Sequence, residues 1–398
     1  GVECLYLPYV TSVEQHLAES GEQYDAVVVF RLLAAERNLA AIRKYCPHAK
    51  LVFHTSDLHY LRELREAELM SSDEVRLKAE KTKQRELGLI GAVDATIVHS
   101  SIEKEMLDAE LRLSTDNSNI FLFSWAIEIP GTKMSFDSRK DMVFLGGFQH
   151  QPNVDAVSYF ASEIFPLIKE KLPAAVFRII GSRAPPEVLA LAGDGIEVLG
   201  FVEDLKPVLD RSRLSVVPLR YGAGIKGKIG TSLSFGLPCV TTTIGAEGMG
   251  LSQHDGVLVA DDPAAFADAV VSLHQDAELW RSCSRGGLDF VNRNYSLEAG
   301  MKTIHNLLTG IGVPENKMVI RDINHQLGMA EGETIVADQP FDPQIIECDI
   351  QCKAEFDKWT ASAELEACRE RELSIARTHS GEESYHTPGY CRVCQLSL

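Results

Sequence analysis

The chain has 398 residues, too many for one ordinary domain, so two globular units with an extension are expected. Apolar residues make up 45% and charged residues 24%, a balance that supports real cores, while a net charge of −18 opposes broad contact with nucleic acid or anionic lipid headgroups. No apolar run is long enough to span a bilayer, the N-terminus lacks a signal-peptide layout, and nine scattered cysteines suit a reducing cytoplasm better than a disulfide framework.

The first predicted element is a strand-like run over Val2–Leu7, so close to the start that the sequence reads as a fragment of something longer. Tyr24–Phe30 is rich in β-branched residues and predicts a buried parallel strand. A helix is expected over Arg31–Tyr45, then a strand at Leu51–Phe53 ending in the polar loop His54–His59. Residues 60–91 are heavily charged with sparse apolar contacts, the pattern of a largely solvated helix pair. Ala95–Val98 is the next strand. Ser100 with Glu103 three residues later spells a capping box for the helix that follows, and Ile120–Phe123 closes this lobe.

A cleaner alternating series runs from 141 to 275. Strands are expected at Met142–Leu145, Val176–Ile180, Ile196–Leu199, Leu214–Val217, Cys239–Thr241 and Val257–Val259. Between the first two, Val154, Val157, Ala161, Ile164, Ile168 and Leu172 fall on one helical stripe, and another helix is expected over Ile229–Phe235. Such repetition builds a doubly wound parallel sheet, and two lobes of this kind in series leave a cleft at the carboxyl ends of their strands. The expected division is 1–135 for an incomplete first lobe, 136–310 for the second, and 311–398 for a linker or the opening of a further module. That tail holds Cys391 and Cys394 with His379 and His386 upstream, a set conceivable as zinc ligands; reduced thiols are the plainer reading, and no metal is assigned.

The chemistry concentrates in Pro218–Lys228, between a strand and a helix. Gly222, Gly224 and Gly227 let the backbone approach a ligand, and Arg220, Lys226 and Lys228 add positive charge where a helix N-terminus already attracts anions. A diphosphate suits this arrangement; a tight loop with solvated lysines is the plainer alternative. Gly146 and Gly147 form a second glycine turn, with Asn153 opening the next helix and His150 near the cleft. Across the cleft, Asp57 and His59, with His54, form a polar cluster able to position an acceptor hydroxyl, or else simply to satisfy the loop backbone. His99 and Ser100 sit at the end of the next strand.

Taken in order, Phe144-Leu-Gly-Gly-Phe148 through Val157, Ile179–Ser182, Gly200–Val202, Pro218–Lys228, Gly236–Thr242 and Ile244–Met249 resemble the donor-binding lobe of family 4 glycosyltransferases. The match spans roughly 141–310; residues 24–128 resemble the later part of the acceptor lobe. The resemblance implies two facing Rossmann-like lobes and retaining transfer of a sugar from a nucleotide diphosphate sugar to a glycan or lipid-linked acceptor. No cofactor beyond that co-substrate, and no metal, is implied. The expected setting is the cytoplasm, at the inner membrane face, with peripheral membrane contact. The backbone around Phe201 would meet the base. Gly146, Gly147, Gly222, Gly224 and Thr231 would line the donor, Arg220, Lys226 and Lys228 would neutralise the leaving diphosphate, and Glu247 would contact sugar or ribose. The sequence departs from the family where two glutamates usually stand eight positions apart, here Ala223 and Thr231, and it lacks the usual Arg and Lys near Gly147–Asn153. A catalytically silent nucleotide-binding scaffold and a nucleotide-sugar epimerase of similar fold are the alternatives.

Overall fold

Short β-branched runs alternating with amphipathic stretches can hide their apolar faces only by pairing in parallel and covering the sheet with helices. The computed structural model does this twice, and it describes residues 5, 10–112, 119–123, 125–252 and 254–313. The strand expected at Val2–Leu7 falls almost wholly outside the described residues. So does the His379, His386, Cys391 and Cys394 set.

The first lobe runs α1 (Val13–Ser20), β1 (Ala26–Phe30), α2 (Leu32–Tyr45), β2 (Lys50–His54), α3 (His59–Met70), α4 (Asp73–Ile90), β3 (Ala95–Val98), α5 (Ser101–Glu110) and β4 (Ile120–Leu122). All four strands are parallel, in the order β1-β2-β3-β4. The order never reverses, so among the described residues this sheet is wound in one direction and has no switch point. β2 and β3 are covered on both faces; Phe53 and Leu51 anchor one core and Val52, Ala95 and Ile97 another. β1 departs from the expected buried strand. Among the described residues it lies at the sheet edge, with Val28 and Phe30 exposed. The charged 60–91 stretch forms the expected helix pair, α3 packed along α4.

The second lobe begins at β5 (Lys140–Leu145). It continues through α6 (Gln151–Tyr159), α7 (Phe165–Lys171), β6 (Phe177–Ile180), α8 (Pro186–Leu189), β7 (Ile196–Gly200), α9 (Lys206–Arg211) and β8 (Ser212–Val217). Then come α10 (Gly227–Ser234), β9 (Cys239–Thr241), α11 (Thr243–Ala246), β10 (Val257–Val259), α12 (Pro263–Gln275), α13 (Ala277–Asn294) and α14 (Leu297–Gly310). Its six strands are all parallel in the order β10-β9-β8-β5-β6-β7, so the winding reverses between β5 and β8. This is the doubly wound dinucleotide-binding order, and its crevice opens where β5 and β8 end. The single helix expected from Val154 to Leu172 is interrupted by a wide turn over Phe160–Ile164. That turn keeps both Phe160 and Phe165 inward against Phe177. Full burial of each such ring contributes about 2 kcal/mol.

α14 starts on the second lobe and ends on the first. Leu307, Ile311 and Val313 pack with Val52, Ala95 and Ile97. A boundary at 310 therefore cuts a core that the last helix shares with β2 and β3.

Candidate active site between the lobes

At the switch point the backbone around the Gly146–Gly147 turn is packed too closely for side chains. A Cβ on Gly181 would sit 1.9 Å from the carbonyl oxygen of Gly146, and one on Gly146 would sit 2.7 Å from Asn153 Nδ2 and 3.0 Å from Lys228 Nζ. Asn153 Nδ2 donates to the carbonyl of Gly147 at 2.7 Å, and Lys228 Nζ donates to Asn153 Oδ1. The two loops are thus fastened through one amide side chain.

Lys228 is half-buried, with its Nζ 4.4 Å from the centre of the Phe144 ring. Among the described residues no carboxylate pairs with it. Burial first, and the nearby Lys226 charge second, lower its pKa to about 7. Lys226 is buried and donates to the carbonyls of Ala223 (3.3 Å) and Gly224. Burial lowers its pKa to about 8 against the opposing pull of Glu247 and Glu103. Two buried amines short of counter-charge favour an incoming anion, which would restore their protons. Thr231 lies on α10 one turn further, and α10 has no side-chain N-cap. Arg220 does not join the lysines in this pairing. Its guanidinium is engaged by Asp155 and lies 4.8 Å from the Tyr159 ring centre. Phe201 is 64% exposed beyond β7, two strands from the switch point.

On the first-lobe side, Asp57 accepts from Arg62 and lies 3.5 Å from His59 Nε2. Burial lowers the pKa of His59 despite Asp57, so its imidazole is neutral at pH 7. His54 and His99 meet Nε2 to Nε2 at 3.1 Å, and His99 Nδ1 lies 2.9 Å from the carbonyl of Phe123. With His99 Nδ1 donating to that carbonyl, His54 Nε2 is the donor of the pair. Burial takes His54 to about 3 and His99 to about 4, so both rings are neutral. His150 is exposed at the edge of the Gly146–Gly147 turn.

The lobes touch through contacts that no local pattern announces. Arg65 on α3 donates to both oxygens of Glu247 (2.6 and 2.7 Å) and to the carbonyl of Gly222 (2.6 Å). Gly224 N–H donates to Glu103 Oε1 at 2.8 Å, the oxygen that also accepts from Leu58 N–H at 3.1 Å. Half of the expected capping box is present, because Ser100 Oγ accepts from Glu103 N–H. The Glu103 carboxyl turns away from the box toward the other lobe. Its pKa rises to about 7, first through burial, then through Asp57 against the lowering pull of its N–H partners. Glu86 plays the capping part elsewhere, accepting from His59 N–H and Tyr60 N–H and so fixing the start of α3. Burial lifts it to about 7 as well. Sequence reasoning missed Arg62, Arg65, Glu86 and Glu103. The signal for Glu86 is present: it shares the inner face of α4 with Ala79, Thr82 and Ile90, where an acid needs a partner. Arg65 has no such signal.

Two parallel α/β lobes, the second in switch-point order with a glycine–lysine crevice, make a GT-B-like fold. Residues 139–276 match the family described as Glycosyl transferases group 1. A protein of Klebsiella pneumoniae, described as an uncharacterized 44.6 kDa protein in the cps region, is 21% identical over 209 residues. The match covers 50% of this chain and 54% of that protein, so the chain spans about half the length of the curated relative it matches. Among solved structures, TarM superposes with a TM-score of 0.60 at 14% identity, covering 74% of this chain and 57% of that one. A sucrose-phosphate synthase from Thermosynechococcus elongatus gives 0.57 at 15% identity, covering 78% and 82%. At such identities the likeness is one of fold.

Proposed function

We propose that the protein transfers a sugar from a nucleoside diphosphate sugar, held by the second lobe, to a glycan or lipid-linked acceptor. The observation that carries this reading is the crevice itself: Lys228 and Lys226 behind two glycine turns at the β5/β8 switch point, short of counter-charge. A diphosphate supplies two negative charges where the lysines lack them, and it departs with those charges stabilised as the glycosidic bond breaks. On this reading the lysines do the work a metal would otherwise do, and transfer retains the anomeric configuration. Phe201 offers an exposed ring for the base, and Asp57 with His59 positions the acceptor hydroxyl. Glu247 reads the sugar only if Arg65 yields one of its two bonds. A mutant of S. aureus TarM has been solved in complex with UDP, which makes UDP the first nucleotide to try. Among the described residues no helix is long and apolar enough to cross a membrane; a lipid-linked acceptor would then be met by peripheral contact at the inner face.

A second reading, a nucleotide-binding lobe without turnover, draws on Ala223 and Thr231 standing where family members carry acids, and on Glu247 being fully engaged. The test is calorimetric titration of UDP, GDP and ADP, without added metal, into wild type and Lys226→Ala/Lys228→Ala. Binding of one nucleotide that the double variant loses supports the donor site, and product formation from the matching nucleotide sugar separates transferase from scaffold. A folded wild type that binds none of the three sinks both readings.

A further inference from the structure

We propose that Glu103 and Arg65, both from the first lobe, are positioning residues that hold the Gly222–Lys228 loop in its phosphate-receiving shape. This rests on the second lobe being the donor site, and it makes diphosphate affinity depend on side chains that never touch the nucleotide.

Gly222 and Gly224 have φ of +149° and +66°, conformations outside the ordinary reach of other residues, so the Gly222–Gly224 turn has no regular structure to define it. Its polar groups are instead satisfied by side chains. The Gly222 carbonyl takes Arg65, the Gly224 N–H takes Glu103, and the carbonyls of Ala223 and Gly224 take Lys226. Two of these three side chains belong to the opposite lobe. The turn also lies flush on that lobe: a Cβ at Gly224 would come within 3.2 Å of Asp57 Cβ and of the Ser56 carbonyl oxygen. Lys226 is therefore aimed by a turn that Glu103 and Arg65 hold from outside.

Glu103 is built for such a role. It is 1% exposed, and its Oε1 joins Leu58 N–H of the first lobe to Gly224 N–H of the second. Its Oε2 is buried and has no partner among the described residues. An ionised carboxylate would leave that oxygen at full desolvation cost, whereas a protonated carboxyl loses less and leaves the charge of Lys226 available to phosphate. Asp57 and Lys226 are the charged groups acting on it, and Lys226 in turn feels Glu247 and Arg65. Arg65 complements it from the other side, neutralising Glu247 so that this acid does not oppose the diphosphate.

The experiment uses the full chain and the one of UDP, GDP or ADP that binds wild type most tightly, with its bare nucleoside as control. Diphosphate affinity is read by calorimetry and nucleoside binding by ligand-observed NMR. Glu103→Ala and Arg65→Met are each expected to weaken the diphosphate about tenfold while nucleoside binding stays within about twofold. Glu103→Gln, whose amide oxygen still accepts from both N–H groups, is expected to stay within about threefold of wild type. Arg65 is partly exposed, so its variant carries the test should Glu103→Ala fail to fold. Unchanged diphosphate affinity in both truncations, or equal losses for diphosphate and nucleoside, would overturn the proposal. Failure of wild type to bind any nucleotide defeats the donor-site reading and this one with it, an outcome distinct from wild-type binding that the variants leave unmoved.

Discussion

Raising the pH should weaken nucleoside diphosphate binding steeply, and the size of the effect follows from the two crevice lysines. In the free protein Lys228 titrates at about 7 and Lys226 at about 8, both depressed chiefly by burial. A bound diphosphate favours the charged form of each, so any lysine that is neutral beforehand must take up a proton. For groups depressed in the free state, affinity is intact below the free pKa and falls as pH rises through it. At pH 9 reprotonation costs about 3 kcal/mol for Lys228 and about 1.4 kcal/mol for Lys226, at roughly 1.4 kcal/mol per pH unit. From pH 7 to 9 the affinity should therefore fall several hundredfold, about 4 kcal/mol in all. Working above pH 7 keeps the terminal phosphate, with its ionisation near 6, almost fully charged throughout. Calorimetry at pH 8 in two buffers of different ionisation enthalpy should report uptake of between one and two protons per nucleotide. In Lys228→Met the fall between pH 7 and 9 should shrink to about tenfold, from Lys226 alone. The same variant should melt a few degrees higher near neutral pH, because the folded wild type holds a depressed lysine that the unfolded chain protonates freely; that advantage fades as pH climbs toward 10.5. An affinity that changes less than about threefold between pH 7 and 9 would refute the assignment of these amines to the diphosphate.

Two further outcomes test the frame around the crevice. Gly181→Ala forces a methyl to within 1.9 Å of the Gly146 carbonyl, backbone against backbone, and should cost about 3 kcal/mol, seen as a melting temperature lower by roughly 6–10 °C. Phe201→Ala removes an exposed ring that supports no core, so thermal stability should hold while nucleotide affinity drops about tenfold; unchanged affinity would move the base elsewhere.

What the sequence disclosed and what it withheld divide along the range of the interactions. β3, β9 and β10 start and end where their apolar runs predict, since each is a short β-branched segment whose pattern is local. The glycine blocks are legible because Gly146 is crowded by Asn153 and Gly222 and Gly224 take positive φ, conditions that ask for glycine. Edge position is not legible: the Tyr24–Phe30 run reads as buried, but nothing in it says which strand will lack a neighbour among the described residues. Proximity in sequence places Arg220 with the lysines, whereas its guanidinium donates to Asp155 on α6. The Arg65–Glu247 and Glu103–Gly224 contacts join residues 182 and 121 positions apart, and nothing short of the folded chain brings them together. Glu103 shows how a local rule can mislead, for the serine-to-glutamate spacing is right and the serine caps as expected, yet the acid serves another lobe.

Among the described residues the chain passes between the lobes twice, once before β5 and again along α14, and the two passages lie against each other. Ile127 N–H donates to the Tyr295 carbonyl at 2.9 Å, and Gly300 leaves room for Ala126, where a Cβ would come within 2.6 Å of the alanine methyl. A single tether would let one lobe twist and swing freely about the other. Two passages bonded side by side resist torsion and leave bending as the soft motion, as a doubled strap does. Any opening of the crevice should then follow one hinge axis, and on closing, Gly224 should return to Glu103 in the same register each time.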